Sequence, residues 1–104
     1  MIVQLPSDYV DFISRTKILS AETNVDSDIE FEPLDQVIEF NSDIEIEDHA
    51  PGYIAFACDG GNEVFAFNSE GAVFLLPMVG MEPQVAEKLA DSWVEFESSV
   101  LINA

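Results

Sequence analysis

Residues 53–76, YIAFACDGGNEVFAFNSEGAVFLL, contain the strongest structural signal in the chain. Three apolar runs, at residues 53–58, 64–67 and 72–76, are separated by short segments rich in Asp, Gly, Asn and Ser. Such runs are typical of buried strands, and the residues between them tolerate the positive φ angles that tight hairpin turns need. The stretch therefore predicts an antiparallel meander of three strands.

An N-terminal helix is indicated by apolar residues at the spacing of one helix face, namely Leu5, Tyr9, Phe12 and Ile13. Pro6 suits the first turn of this helix, because the φ angle of proline is already close to the helical value. The pattern predicts a short amphipathic helix whose apolar face packs on the sheet.

Toward the other end of the chain, apolar residues again recur at close to 3.6 positions, namely Val85, Leu89, Trp93, Phe96 and Val100. This pattern predicts one helix over residues 84–101, about five turns long, that covers the sheet. All the elements together predict an α+β fold in a single domain over residues 1–104. Its mixed or antiparallel sheet would carry the three-strand meander and pack against N- and C-terminal helices.

The segment 25–48 differs from the rest of the chain because it contains ten acids and no basic residue. Two apolar pairs alternate with these acids, Ile29 with Phe31 and Ile44 with Ile46. Alternation predicts strand-like pieces with one apolar and one acidic face. Leu34, Val37 and Ile38 lie between the two pairs and indicate a helical turn or two.

Net charge excludes several classes of function. The chain has 104 residues with 21 Asp and Glu, three Lys and Arg, and one His, a formal net charge of −18. Such a surface repels phosphate and anionic lipid, so we expect no binding to nucleic acid or membrane. Self-repulsion favours a monomer. We find no signal peptide and no apolar span, which leads us to expect a cytoplasmic protein.

Few residues offer catalytic or cofactor chemistry. Cys58 and His49 are the only Cys and His, and two such residues cannot complete a zinc site. Cys58 lies in an apolar run, which indicates a structural thiol. No nucleophile motif accompanies His49, so we expect no enzyme and no cofactor. A hydrolase with His49 as general base is the third-ranked hypothesis.

Calcium binding is the alternative function. The spacing of Asp26, Asp28 and Glu30 is similar to the start of an EF-hand loop. Phe31, however, occupies the position at which that loop requires glycine. A divalent-cation-binding acidic domain therefore remains as the second hypothesis, and we assign no residue as a metal ligand.

The acidic surface itself is the main functional signal in the sequence. Carboxylates at this density attract a basic protein partner and raise its association rate, although the charge could also serve only solubility. The residues that we expect to contact the partner are Asp26, Asp28, Glu30, Glu32, Asp43, Glu45, Glu47 and Asp48.

Four segments, in the right order along the chain, resemble the SMI1/KNR4 (SUKH) family. They are LPSDYVDF (5–12), FEPL (31–34), PGYIAFACDGGNE (51–63) and the amphipathic segment that contains Trp93 and Phe96. The resemblance implies an α+β domain with a curved mixed sheet flanked by helices and no enzymatic activity.

The resemblance also implies a biological role. Bacterial members of this family are largely immunity proteins, which bind and neutralise toxins delivered between competing cells, and many of these toxins are nucleases. Our leading hypothesis is therefore a non-catalytic cytoplasmic immunity protein. Its acidic face would cover the basic site of a toxin domain.

Overall fold

The computed structural model describes residues 5–23 and 28–101, which contain four helices and seven strands. The helices are α1 (Ser7–Thr16), α2 (Val37–Asp43), α3 (Ile46–His49) and α4 (Trp93–Glu97). The strands are β1 (Ser20–Thr23), β2 (Asp28–Phe31), β3 (Ile54–Cys58), β4 (Glu63–Phe67), β5 (Val73–Pro77), β6 (Glu87–Ala90) and β7 (Val100–Leu101). Single 3-10 turns lie at Leu34–Gln36 and Pro83–Val85.

The strands form one sheet in the order β6-β5-β4-β3-β2-β1-β7, and each neighbouring pair is antiparallel. The predicted meander is confirmed as β3, β4 and β5, and β6 continues it. At the opposite edge β7 pairs with β1, so the sheet joins segments from both ends of the described chain. The α+β class is thereby confirmed.

Helices α1 and α4 cover one face of the sheet and enclose the first core. The ring centroid of Tyr9 in α1 lies 4.8 Å from the centroids of both Phe56 and Trp93. Phe12 and Ile13 are also buried, as their spacing predicts. Burial of each large apolar side chain stabilises the fold by about 1.5–3 kcal/mol. The predicted N-terminal helix is confirmed.

Helices α2 and α3 cover the other face and enclose a second, smaller core. Phe40 of α2 and Ile46 of α3 pack there against Ala55, Val64 and Leu76. The central strands are therefore buried on both faces, which explains why they appear in the sequence as continuous apolar runs.

A bulge in β3 lies between Ala55 and Ala57, where α2 and the segment after β2 contact the strand. The extra residue places both Phe56 and Ala57 in the first core. The side-chain amide of Asn41 in α2 bonds the backbone of Ala55, and the N–H of Glu32 donates to the Phe56 carbonyl at 3.0 Å. The bulge thus holds α2 and the segment after β2 in place.

The prediction of one long helix over residues 84–101 is wrong. These residues form a 3-10 turn, β6, the short helix α4 and β7. Ser92 begins a separate helix, because its Oγ accepts a hydrogen bond from the N–H of Glu95 at 3.1 Å. Val85, which the helical pattern would bury, is 47% exposed. The C-terminal helix that packs on the first core is therefore α4 alone.

The prediction of a strand-like piece around Ile44 and Ile46 is also wrong, whereas the piece around Ile29 and Phe31 is confirmed as β2. Val37, Phe40 and Ile44 recur at helical spacing; Val37 is buried, and Phe40 and Ile44 pack on the second core. Glu45 then adopts a left-handed conformation with φ of 55°. The chain turns there, so that Ile46 packs on the same core from α3.

Candidate functional site

The carboxylates of β2 lie on the face of the sheet that also carries the second core. Ile29 and Phe31 are buried in the first core, so the alternating residues Asp28 and Glu30 emerge on the opposite face and are exposed. Glu30 pairs with Cys58 across the strands. Helices α2 and α3 cover the centre of this face and leave the β2 carboxylates in contact with water.

The turn between β3 and β4 makes room for Glu30. Gly60 has a φ of 82°, and a Cβ atom at this position would lie 2.6 Å from Oε2 of Glu30. The Asp59 carboxylate is already engaged, because its Oδ1 accepts hydrogen bonds from the N–H groups of Gly61 and Glu63 at 2.9 and 3.2 Å. Asp59 therefore stabilises the turn, while Glu30 is exposed to solvent.

Cys58 is a half-buried thiol beside these acids. Burial raises its pKa, the carboxylates of Glu30, Glu32 and Asp59 raise it further, and a hydrogen bond from the Gly60 backbone opposes this shift. The thiol therefore stays protonated at neutral pH and is a poor nucleophile.

Four further predicted residues belong to α2, to α3 and to the turn between them. Asp43 ends α2, Glu45 occupies the turn, and Glu47 and Asp48 belong to α3; all four are exposed. They project into water because the residues between them pack on the second core. We call Asp28, Glu30, Glu32, Asp43, Glu45, Glu47 and Asp48 the acidic surface. Asp26, the eighth predicted residue, lies outside the described residues.

Glu32 differs from the other members of the acidic surface because it is half-buried. It follows β2, and its N–H bonds the β3 bulge. Its carboxylate is close enough to the Tyr9 hydroxyl to contribute to the raised pKa of that group. Glu32 therefore connects the acidic surface with the edge of the first core.

Cations are unevenly distributed over the protein. Arg15 pairs with Asp11 on α1 at 3.9 Å, and Lys88 of β6 pairs with Asp91. The sequence contains no lysine or arginine between Lys17 and Lys88. Acids also occur on the α1 and α4 side of the molecule, but the acidic surface is formed entirely by a segment that contains no lysine or arginine.

His49 is an exposed residue at the end of α3. Its Nε2 lies 4.0 Å from Oε2 of Glu45, and both side chains are more than half exposed. The distance is too long for a hydrogen bond that would orient a general base. The described residues give the hydrolase hypothesis no support.

The described residues also give the calcium hypothesis no support. Within 5–23 and 28–101, no three His, Cys, Asp or Glu side chains come together as ligands of a metal ion. Asp28 and Glu30 are exposed residues of the same strand, β2. No helix in the same part of the chain is long and apolar enough to cross a membrane.

Comparison with known proteins identifies the family. The model of the SMI1/KNR4 family (SUKH-1) matches residues 1–99. The chain belongs to the SMI1/KNR4 family. No curated protein matches the chain.

In this SMI1/KNR4 protein, the segments that carry the resemblance supply the core and its turns. Tyr9 and Phe12 come from residues 5–12, Phe56 comes from residues 51–63, and all three are buried in the first core. The acidic surface lies mainly outside these segments. In this protein, therefore, the residues that indicate the family mostly maintain the fold. Most of the residues that we expect to contact a partner lie outside the segments that indicate the family.

Sequence reasoning missed an apolar groove between the end of α1 and the segment after β2. It has a volume of about 460 Å³ and is bordered by Glu32. The residues that form it come from two separate segments, 13–19 and 32–35, which the sequence alone does not bring together. The available signal was Leu19, an apolar residue that belongs to neither predicted helix and is 66% exposed.

Proposed function

We propose that this SMI1/KNR4 protein is an immunity protein that neutralises a toxin by covering the basic surface of the toxin with its acidic surface. The observation that carries the proposal is the set of exposed carboxylates around β2, α2 and α3, formed by a segment without lysine or arginine. Family membership supports the role, because bacterial members of the family are largely immunity proteins. The protein would act by occlusion and needs no catalytic group.

Charge supports a nuclease as the toxin. A nuclease must present a positive surface to the phosphates of its substrate. A protein with carboxylates in a similar density can occupy that surface and exclude the nucleic acid. Inhibition of this kind would take place in the cytoplasm, where the toxin meets its substrate.

The backbone beneath the acidic surface is well fixed. Asn41 ties α2 to β3, and the Glu32 N–H ties the segment after β2 to the same strand. Carboxylates on a fixed scaffold lose less conformational entropy on binding than carboxylates on a disordered tail. This difference favours a defined docking surface over a diffuse solubility function.

The proposal can be tested by charge reversal on and off the acidic surface. One variant carries lysine at Glu30, Glu32, Glu45 and Glu47, and a matched variant carries lysine at Glu70, Glu82, Glu87 and Glu95. Both variants change the net charge by the same amount. The partner to use is a basic toxin domain, to be sought in the reading frames beside the gene for this chain, and the association rate is measured by stopped flow at low and high salt.

We expect the first variant to associate at least about tenfold more slowly at low salt, and to lose protection of a growing culture that expresses the toxin. In the matched variant, the association rate and the protection of the culture should fall much less. An unchanged association rate in the first variant, or equal losses in both, would show that the acidic surface is not the docking site.

A further inference from the structure

The groove beside the acidic surface has an apolar interior. Ile13 at the end of α1, Ile18 and Leu19 form one side, and Pro33 and Leu34 form the other. Ile18 and Leu34 are partly buried against the first core, whereas Leu19 is 66% exposed. The volume of about 460 Å³ lies in the usual range of ligand pockets.

The backbone on both sides of the groove is held by hydrogen bonds. Lys17 adopts a left-handed conformation at the end of α1, with φ of 53°, and its N–H donates to the Ile13 carbonyl at 2.8 Å. The Leu19 carbonyl accepts the N–H of Phe31 at 2.7 Å. The N–H of Gln36 donates to the Pro33 carbonyl at 2.8 Å on the other side. The groove is therefore formed before a ligand enters.

The rim of the groove is predominantly negative. Glu32 and Asp35 stand on one side, and Lys17 stands on the other. The two carboxylates outnumber the single ammonium group, and Glu32 is shared with the acidic surface. An occupant that combines apolar and cationic groups matches this lining, whereas an acidic occupant would meet like charges.

We propose that the groove binds a short segment of the protein partner in which an apolar side chain is flanked by lysine or arginine. The apolar side chain enters between Leu19 and Leu34, and the flanking cation pairs with Glu32 or Asp35. The inference rests on the proposed function, because one basic partner occupies both the acidic surface and the groove. The carboxylates attract the partner, and the groove supplies an apolar contact that slows its dissociation.

The test uses synthetic peptides and requires no toxin. The probes are acetylated and amidated pentapeptides with sequences RRLRR, RRGRR and EELEE. Each is titrated into the whole ¹⁵N-labelled protein, and backbone amide shifts are followed by NMR. We expect RRLRR to shift the amides of residues 13–19 and 32–35 in a saturable way, RRGRR to produce weak shifts spread over the acidic surface, and EELEE to produce none.

Two exposed residues provide a matched pair of variants. Leu19→Ala removes part of the groove, and Ile38→Ala removes a similar side chain that is 84% exposed and does not line the groove. Leu19→Ala should weaken RRLRR binding by about fivefold, which corresponds to partial loss of one apolar contact. Ile38→Ala should leave it unchanged.

Equal shifts from RRLRR and RRGRR would overturn the groove assignment and leave the charge-based proposal standing. Groove shifts that depend on protein concentration without peptide would assign the groove to a second copy of the chain instead. Conversely, selective RRLRR binding together with an unchanged toxin association rate after charge reversal would retain the groove and reject docking through the acidic surface.

Discussion

The side-chain amide of Asn41 forms two hydrogen bonds with the backbone N–H and carbonyl of Ala55 in β3. Nδ2 of Asn41 donates to the Ala55 carbonyl at 2.8 Å, and the Ala55 N–H donates to Oδ1 of Asn41 at 2.7 Å. The same Nδ2 donates to the Val37 carbonyl at 2.7 Å within α2. One side chain therefore satisfies both backbone groups of a fully buried residue at the bulge, where the regular strand pairing is interrupted.

Replacement of Asn41 by alanine should lower the free energy of unfolding by about 2 kcal/mol, because it leaves the buried N–H and carbonyl of Ala55 without partners. The measurement is urea denaturation at neutral pH. Ser42→Ala is the control, since Ser42 is an exposed neighbour in the same helix. Equal free energies of unfolding for the two variants would show that the Asn41 hydrogen bonds do not stabilise the fold.

Tyr9→Phe should leave the stability at pH 7 unchanged or raise it by up to about 1 kcal/mol. The Tyr9 hydroxyl is buried and has no hydrogen-bond partner among the described residues, so its removal abolishes a desolvation cost. Denaturation of both proteins under the same conditions measures the difference. A loss of more than 1 kcal/mol would indicate that the hydroxyl is bonded.

The same substitution should change the response to alkaline pH. Burial, with a smaller contribution from the Glu32 carboxylate, raises the pKa of Tyr9 far above its ordinary value. Above about pH 10 the unfolded chain releases this proton and the folded protein retains it, so the free energy of unfolding falls as the pH rises. The contribution of this group is at most about 1.4 kcal/mol per pH unit.

Tyr9→Phe lacks this contribution and should therefore become progressively more stable than the unsubstituted protein between pH 10 and 11. The raised pKa of Cys58 acts in the same direction, but Cys58 is present in both proteins and cancels in the comparison. If the free energies of unfolding of the two proteins changed in parallel with pH, the raised pKa of Tyr9 would be contradicted.

Glu45→Asn should raise the free energy of unfolding by about 1 kcal/mol. Glu45 has a φ of 55°, a conformation that costs most L residues about 1–2 kcal/mol and that asparagine adopts more readily. The exposed contact of Glu45 with His49 is too weak to offset this gain. Glu47→Asn removes the same charge in α3 and serves as the control for reduced repulsion. Thermal denaturation of the two variants would separate backbone strain from charge.

Ser92→Ala should destabilise the protein by about 1 kcal/mol, because α4 then loses the hydrogen bond from the Glu95 N–H to its N-cap. Ser98→Ala, at the other end of the same helix, is the comparison. Near-UV circular dichroism of Trp93 reports whether α4 stays packed on the first core. An unchanged stability would mean that packing alone determines where this helix begins.

The parts of the fold that local patterns determine could be predicted from the sequence. Tyr9 and Phe12 repeat on one helix face, and the turn residues between β3, β4 and β5 match hairpin geometry. Around Ile44 and Ile46, however, the two-residue alternation had a different cause, since a left-handed Glu45 turned both side chains toward one core. At the C-terminal end, the cap at Ser92 and pairing with β5 overrode an apparently continuous helical period.

The sequence predicts which residues form the candidate site, but it does not predict how they are arranged in space. The exposure of Asp28 and Glu30 follows from the alternation in β2. The half-buried position of Glu32 depends on the β3 bulge, and no local sequence pattern predicts that bulge. The groove between Leu19 and Leu34 likewise arises only when α1 and the segment after β2 are brought together, so it requires the tertiary structure.

The packing of Trp93 against Tyr9 has a consequence for biosynthesis. These two residues belong to opposite ends of the described chain, and the pairing of β7 with β1 joins the same two regions. A nascent chain cannot close the first core until residues 93–101 have left the ribosome, so the aromatic rings of earlier segments remain uncovered during translation. The net charge of −18 would then keep nascent chains on one polysome from adhering to each other.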